Sequence, residues 1–349
     1  MHGLLKLLVV LGLLAAAVGW FVFGPGSRRT DHRAEAEAAA GRRDFAAARD
    51  HLDRYLATGP SDRDAYLLAA RVARRLGDGA ATADHLRRFG ELGGDRDVVE
   101  LERALTRIEA GDPAGSGRVF EFCAKNPDHP AAPFAFESLT IGMRKIGQPD
   151  RALTCAKQWL RVASTPADRA EAHVGRGLAL AMKGLGAEAG QEYRLALAEF
   201  PTHADARFHL AEFLTRDDPT EALALYWGLD ADRPDRPEVR LGMVRANRQL
   251  GDHESAAKVL APLLAARPDD PDVMTEAGAL ALDRGRADEA EDLLRRAVAK
   301  APDRRTPNVQ LLRCLQERGK TAEADAQRAR VKKIDDELEK RIANMSGKP

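Results

Sequence analysis

Small and aliphatic residues recur at helical spacing through most of the chain, and turn residues interrupt them at regular distances. The clearest unit runs over residues 268–303. Both of its halves carry small or apolar residues at helical spacing: Met274, Ala277, Gly278, Ala281, Ala290, Leu294 and Ala297. Gly285 separates the two halves, and Pro302 ends the second. The pattern predicts two antiparallel helices joined by a tight turn.

One small residue near the start of each predicted second helix marks a period along the chain. It occurs at Ala48, Thr82, Gly115, Ala152, Ala189, Ala222, Ala256, Ala290 and Ala324, in steps of 34, 33, 37, 37, 33, 34, 34 and 34 residues. Glycines separate many of the helix pairs and prolines close many of them. Arg43 stands where other turns have glycine, and Gly94 stands where other units have the closing proline. The spacing predicts nine helical hairpins.

This pattern resembles the tetratricopeptide repeat, a helical hairpin with a period of 34 residues. Gly278, the pair Ala290 and Leu294, and the closing Pro302 carry the resemblance most clearly. It implies an all-α chain, folded as a right-handed superhelical solenoid of about nine helix-turn-helix repeats over residues 29–320. It also implies a surface that binds a protein or a peptide.

Two features modify this regular picture. The two 37-residue steps surround residues 127–170, where we expect a seam between an N-terminal and a C-terminal block. After Gly319 the last helix continues over residues 321–345 without a proline, and residues 346–349 form a tail. Val331, Ile334, Leu338 and Ile342 form a narrow apolar stripe on that helix. We interpret it as a helix that caps the solenoid, with a coiled-coil contact as the alternative.

The N-terminal part of the chain has a different character. After a short tail at residues 1–3, residues 4–23 form an apolar run about 20 residues long, enough for a helix to cross the hydrocarbon layer. Lys6 stands near its start, and Trp20 and Phe23 stand at its end, as interfacial anchors would. A retained transmembrane helix is the favoured interpretation, and a signal peptide cleaved near Ala17 is the alternative.

The side of the membrane is open to two interpretations. Residues 24–28 form a short linker that keeps the repeats near the bilayer. Arg28, Arg29 and Arg33 after the span favour a cytoplasmic body, whereas short-tailed N-terminal anchors usually place the body outside the cytoplasm. We predict an extracytoplasmic body.

Composition and charge narrow the classes of partner. The 349 residues include 5% aromatic and 44% hydrophobic residues, which suits closely packed helices. The formal net charge of +0 argues against recognition of nucleic acid through bulk electrostatics. We expect a protein or peptide partner and no nucleic acid.

The motifs that commonly carry catalysis or metal binding are missing or out of context. Residues 318–321 read RGKT, but Cys314 stands where a phosphate loop needs its first glycine. The sequence lacks closely spaced Cys and His ligands, so no metal, cofactor or catalytic site is predicted. Cys123, Cys155 and Cys314 lie in predicted helices, and we expect buried thiols, with a single disulfide as the alternative.

Arginines are the main candidates for ligand contacts. The resemblance implies that the first helix of each hairpin lines a groove, and it places there Arg71, Arg74, Arg75, Arg107, Arg144, Arg207, Arg245 and Arg248, together with Lys145 and Arg313. Fewer acids fall on the same face: Glu37, Glu100, Glu137 and Asp283. A basic groove would select acidic segments of a partner, because guanidinium groups pair with carboxylates in bidentate fashion. The alternative is that these arginines are simply solvated.

The sequence therefore predicts a membrane-anchored, non-catalytic scaffold that binds proteins or peptides. One alternative is an accessory subunit that holds an enzyme or an envelope-assembly complex at the membrane. Another is a structural chain that assembles with itself through its ends. Apolar positions on the first helices are a second candidate surface for a ligand: Leu67, Ile141, Val174, Leu178 and Leu241.

Overall fold

The structure of the chain is a computed structural model that describes residues 31–234 and 236–345, with side chains up to residue 340. Its regular secondary structure in these residues is helical throughout, which confirms the all-α prediction. In the first part of the chain the helices are α1 (His32–Gly41), α2 (Phe45–Leu56), α3 (Arg63–Arg75), α4 (Gly79–Glu91), α5 (Arg96–Ala110), α6 (Ser116–Lys125), α7 (Ala132–Lys145), α8 (Pro149–Val162) and α9 (Pro166–Met182). They continue as α10 (Gly186–Glu199), α11 (Ala204–Asp217), α12 (Pro219–Asp232), α13 (Pro237–Gln249), α14 (His253–Ala266), α15 (Pro271–Asp283), α16 (Ala287–Lys300), α17 (Arg305–Glu317) and α18 (Thr321–Met345).

These helices pack in consecutive pairs, as the repeat pattern predicts. Eight pairs form hairpins: α1 with α2, α3 with α4, α7 with α8, α9 with α10, α11 with α12, α13 with α14, α15 with α16, and α17 with α18. The two helices predicted as the remaining hairpin, α5 and α6, follow in the expected order but do not pack closely against each other, so the described residues contain eight of the nine predicted hairpins. The chain is a solenoid of helical hairpins.

The small landmark residue occupies the same place in eight of the second helices. It is the fourth residue of the helix and is almost completely buried: Ala48, Thr82, Ala152, Ala189, Ala222, Ala256, Ala290 and Ala324. Gly115 was assigned wrongly to this set. It is the N-cap of α6, with a φ of 83°, and the fourth residue of that helix is Val119. Glycine is favoured at position 115 because the helix cap needs a left-handed backbone conformation, and not because two helices pack closely there.

Turns between the helices of a pair require the left-handed backbone conformation. Glycine provides it at Gly77, Gly147, Gly184, Gly251, Gly285 and Gly319. Arg43 adopts a φ of 62° and is the non-glycine residue with positive φ in the described part of the chain. The prediction that Arg43 replaces a turn glycine is therefore confirmed.

The close approach of neighbouring helices, within a hairpin and between consecutive hairpins, depends on residues without bulk. A Cβ atom on Gly278 of α15 would lie 2.6 Å from Cγ of Leu294 in α16. A Cβ atom on Gly242 of α13 would lie 2.3 Å from the ring of Tyr226 in α12. Distances this short are not compatible with any side chain, so these glycines let large neighbours pack directly on the helix backbone.

The described part of the chain divides into two compact units, with the boundary between residues 106 and 107. The boundary falls within α5, before the region 127–170 in which the seam was predicted. In the first unit Ala36, Ala39, Ala48 and Leu52 form the centre of one apolar cluster. In the second unit Tyr193, Leu210, Tyr226 and Met243 belong to another, larger cluster. Each unit thus has its own core.

Both ends of the chain bear on the sequence predictions. Residues 4–23, the predicted anchor, lie outside the described residues, and among the described helices none is both long and apolar enough to cross a membrane. At the other end α18 continues as one helix to Met345, as predicted. Val331 is buried, Ile334 is partly buried and the Leu338 side chain is 49% exposed. The side chain of Ile342 is outside the described part.

Candidate functional site

The first helices of the hairpins form a continuous layer within the second unit. The helices α7, α9, α11, α13, α15 and α17 each contact the next one in this order, in addition to their own hairpin partners. We call their solvent-facing side the first-helix face. A partner segment bound there would contact several repeats at once.

Alternating charges cross this face from α11 to α17. Glu212 of α11 lies 3.4 Å from Arg245 of α13, and Arg245 lies 3.7 Å from Glu276 of α15. Arg248 of α13 pairs with Glu276 at 2.8 Å and with Asp283 of α15 at 2.7 Å. We call Glu212, Arg245, Arg248, Glu276, Asp283 and Arg313 the ion ladder, because Arg313 of α17 extends it to Asp283 at 2.8 Å.

Burial and pairing act in opposite directions on the acids of the ladder. Partial burial of Asp283 works to raise its pKa, but hydrogen bonds and charges from Arg248 and Arg313 outweigh it, so the pKa lies below its usual value. Glu212 has a weaker partner. Its burial raises its pKa, and the charge of Arg245 offsets this only in part. Burial also raises the pKa of Glu276, against the opposing charges of Arg245 and Arg248. The pairs that Asp283 forms with Arg248 and Arg313 are therefore the ones that favour the charged acid.

In the first unit, the predicted groove arginines are engaged with their own neighbours. Arg71 donates to Glu102 at 2.6 Å, and Arg74 lies 3.4 Å from the same carboxylate. The Arg74 side chain is only 1% exposed, so it lies in the core and not on a surface open to a ligand. The guanidinium of Arg75 lies 5.4 Å from the centre of the Phe45 ring.

In the second unit, the remaining arginines have different surroundings. Arg107 is exposed at the end of α5. Arg207 donates to Asp232 and to the Pro201 carbonyl, both at 2.9 Å. Arg144 is partly buried, and its Nε atom has no hydrogen-bond partner.

Lys145, next to Arg144 in the sequence, donates to the Glu109 carbonyl at 2.6 Å. The first-helix face thus holds arginines that are mostly paired within the protein, whereas Arg144 is partly buried and is influenced by the charge of Glu171.

Sequence reasoning identified Asp283 but missed Glu102, Glu212 and Glu276, the acids that neutralise most of this positive charge. Their spacing contained a signal. Arg245 and Glu212 are 33 residues apart, and Arg248 and Asp283 are 35 apart, which is close to one repeat period. Opposite charges one period apart lie on adjacent first helices and can pair.

The other acids assigned to the face do not form part of the ladder. Glu37 pairs with Arg33 in α1, and Glu100 pairs with Arg96 in α5. Glu137 is buried in α7.

Other candidate positions divide between core and surface. Val174 and Leu241 are buried in apolar clusters, so they serve packing, whereas Ile141 and Leu178 are partly exposed.

Cys123, Cys155 and Cys314 are buried free thiols, as predicted. Burial raises the pKa of Cys155 to about 12, which keeps this thiol protonated. Within residues 31–234 and 236–340, no cluster of three or more potential metal ligands is present.

Comparison with known families gives the same architecture. One tetratricopeptide repeat model matches residues 33–93 and 144–204, and a second one matches residues 213–275. Together these segments cover more than half of the chain. No curated protein matches the sequence.

Two solved structures share the fold at low sequence identity. A tetratricopeptide repeat protein from Parabacteroides merdae aligns with a TM-score of 0.59 and 15% identity, over 71% of this chain and 97% of that one. The Cut9–Hcn1 hetero-tetramer of APC/C contains a chain that aligns with a TM-score of 0.61 and 16% identity, over 87% of this chain and 59% of that one. At these identities the likeness concerns the fold alone.

Proposed function

Since this chain is a tetratricopeptide repeat protein, we propose that it acts as a scaffold that binds a protein or peptide on its first-helix face. Proteins of this family are generally non-catalytic scaffolds. The observation that carries the proposal is the unbroken contact of first helices from α7 to α17, which offers one surface built from six repeats. The apolar cores hold the helices in place before a partner binds. The entropic cost of ordering the binding surface therefore falls on folding and not on binding.

The ion ladder supports binding by a rigid surface. Each of its pairs joins two adjacent first helices, so the relative position of α11, α13, α15 and α17 is held by charges as well as by packing. The same pairing limits the free positive charge that the sequence suggested. An acidic segment of the partner therefore binds through the arginines that have no ion pair within the protein. The apolar positions Ile141 and Leu178 supply further contacts.

We also propose that residues 4–23 hold this scaffold at a membrane, with the repeats outside the cytoplasm. The length and apolar character of the run support the anchor, and Trp20 and Phe23 at its end support an interfacial position. The short linker at residues 24–28 would keep any bound partner near the bilayer. The scaffold would then bring its partner to the membrane surface.

Site-specific photo-crosslinking of the full-length chain in its host cell tests the scaffold. A benzoylphenylalanine residue at Ile141 in α7 is compared with one at the exposed Lys157 in α8, a second helix. We expect a discrete crosslinked protein from position 141 and not from position 157. Equal crosslinking from both positions would contradict a specific first-helix face.

The identity of the crosslinked species separates the alternatives. A crosslinked enzyme would favour an accessory subunit that holds a catalytic partner. Crosslinks only between copies of this chain would favour self-assembly. A non-enzymatic client would favour the simple scaffold.

A further inference from the structure

A cavity of about 300 Å³ lies where α6, α7 and α8 meet in the second unit. Its floor consists of Leu139 and Met143 of α7 and Cys155 of α8, which are 1%, 3% and 4% exposed. Phe120 of α6 lines another side, and its ring packs edge-on against Phe136 with the ring centroids 5.6 Å apart. The cavity is therefore bounded by apolar side chains that are packed into the protein.

The position of α6 explains why this space is not filled by the protein. The helix packs against α7 but not closely against α5, its predicted hairpin partner. Its fourth residue, Val119, is partly exposed, whereas the landmark residue at this position is buried in the other eight second helices. The helix begins with Ser116 and Gly117, two small residues that line the cavity, and a Cβ atom on Gly117 would meet nothing within 4 Å. The gap is thus a consequence of how this repeat packs.

The entrance of the cavity is polar and carries a positive charge. Gly117, Arg151 and Thr154 line the cavity and are exposed, so its open side lies between the start of α6 and the first half of α8. The Nη1 atom of Arg151 donates to the amide oxygen of Gln148 at 2.9 Å. Within the described part of the chain this arginine has no ion pair with an acid. An apolar space thus ends in a cation whose charge no acid of the protein compensates.

The size and the charge of this cavity define the ligand that it suits. Water gains little from contact with the apolar floor, so an apolar group that displaces it is bound favourably. An apolar protein cavity of about 150 Å³ holds benzene, and small-molecule sites begin at about 300 Å³. The space therefore suits a short alkyl chain. The cation at the entrance favours an anionic head on that chain, and a guanidinium group matches a carboxylate because the two can form paired hydrogen bonds.

We propose that this cavity binds the alkyl chain of a small single-chain carboxylate, and that Arg151 pairs with the carboxylate head. The site is separate from the first-helix face, because the two α7 residues that line it, Leu139 and Met143, are buried. The scaffold thus holds a small amphipathic molecule in addition to its partner. This site goes beyond the proposed function and does not depend on it, so the two are tested by different experiments.

NMR of the full-length chain in a lipid nanodisc, labelled with 13C at the methionine methyl groups, tests the site. Met143 reports from the floor of the cavity, and Met182, which is 41% exposed at the end of α9, reports on nonspecific contact. The probe is n-octanoate, with butyrate as the short chain and octanamide as the uncharged chain of equal length. We expect octanoate to shift the Met143 resonance, assigned by its loss in Met143→Leu, saturably and at least tenfold more tightly than butyrate. Met182 should not shift.

Variants separate recognition of the chain from recognition of its head. Gly117→Leu fills the open space from α6, and Thr154→Leu fills it from α8, so each should weaken octanoate binding at least tenfold. Arg151→Gln removes the charge at the entrance, and we expect octanoate affinity to fall about fivefold, to that of octanamide. Arg161→Gln is the matched control, because Arg161 is exposed on the same helix and likewise donates to a glutamine, Gln158, at 3.0 Å. It should leave affinity unchanged.

Three results would overturn the site. One is a Met143 resonance that octanoate does not shift saturably. The second is wild-type affinity for octanoate in a filled variant whose fold is intact, as judged from the resonances of Met243 and Met274, which are buried in other hairpins. The third is equal affinity in Arg151→Gln and Arg161→Gln, which would mean that the cavity is a packing gap without recognition of the head group.

Discussion

At the scale of the residue, the smallest side chains set how closely the helices approach. Ala290 has no exposed surface, and its carbonyl oxygen lies 3.3 Å from the place where a Cβ on Gly278 would be. Leu294 fills the remaining space beside Gly278. A larger residue at either small position would push α15 and α16 apart, because the core around them is already filled.

Replacement of Ala290 by arginine tests this crossing. Overpacking of a core costs about 1 to 3 kcal/mol, and a buried charge adds to it, so we expect the free energy of unfolding to fall by more than about 3 kcal/mol. Ala299→Arg places the same side chain at an exposed position of α16 and should change stability little. Thermal and denaturant unfolding measure both, and equal melting temperatures would show that Ala290 is not at a crossing.

Asp283 predicts how stability depends on pH. Because its pKa is lowered in the folded state, the ion pairs of Asp283 stabilise the fold at and above the unfolded pKa of about 3.9, and this contribution is lost as pH falls through the folded pKa. Asp283→Asn should therefore be less stable than wild type at pH 7, and the difference should shrink in acid. Denaturant unfolding at pH 7 and below pH 4 measures it, with Asp128→Asn in an exposed loop as the control. A difference that stays constant with pH would exclude this role.

At the scale of the element, proline has opposite effects at the start and in the middle of a helix. Pro219 is the first residue of α12, where the missing N–H would have no helical acceptor. Pro262 lies inside α14 and is exposed. An interior proline lacks the hydrogen bond to the carbonyl four residues earlier and crowds it, so α14 forms in spite of its local sequence. Its apolar contacts, including Leu260 and Leu263, compensate for this loss.

Pro262→Ala should accordingly stabilise the chain. Restoring the hydrogen bond and removing the crowding is expected to raise the free energy of unfolding by about 1 to 3 kcal/mol. Pro219→Ala is the matched control, and we expect it to be neutral or slightly destabilising because proline is favoured at the first helical position. Calorimetry of both variants decides the point. A destabilised Pro262→Ala variant would mean that the native packing requires the proline.

At the scale of the whole molecule, two compact units of helical hairpins follow an apolar N-terminal run. Each unit buries its own apolar clusters, and this burial stabilises the packing of its hairpins. The layer of first helices in the second unit provides the candidate binding face. We propose that residues 4–23 hold this face at a membrane.

Extraction of membranes with alkaline carbonate tests the anchor. We expect the full-length chain to remain in the membrane fraction, because about 20 apolar residues in the bilayer outweigh the loss of peripheral contacts. A chain without residues 4–23 should appear in the soluble fraction. The intact mass should correspond to a protein that begins at Met1 or His2. A mature protein that begins near Val18 would show instead that the run is a cleaved signal.

The repeat architecture followed from the sequence because its signals are local. Helical spacing, turn glycines and a buried small residue at the fourth position recur with one period, and each acts within a single hairpin. The one landmark assigned wrongly, Gly115, has the same small size but a different cause, a left-handed cap. Size alone does not distinguish a residue at a helix crossing from a residue that needs positive φ.

The tertiary structure was needed to show which charges of the candidate site are paired. Arg248 and Arg144 look alike in the sequence, because both end a first helix and both are arginines. Only packing shows that Arg248 pairs with Glu276 and Asp283 on the next first helix, whereas the Nε atom of Arg144 is buried without a hydrogen-bond partner and its guanidinium is influenced by the charge of Glu171. An ion pair depends on two helices and on the exclusion of water between them, and the sequence of one helix shows neither its partner helix nor this exclusion. The sequence determined the solenoid by itself, and the tertiary structure decided which of its charges remain available to a partner.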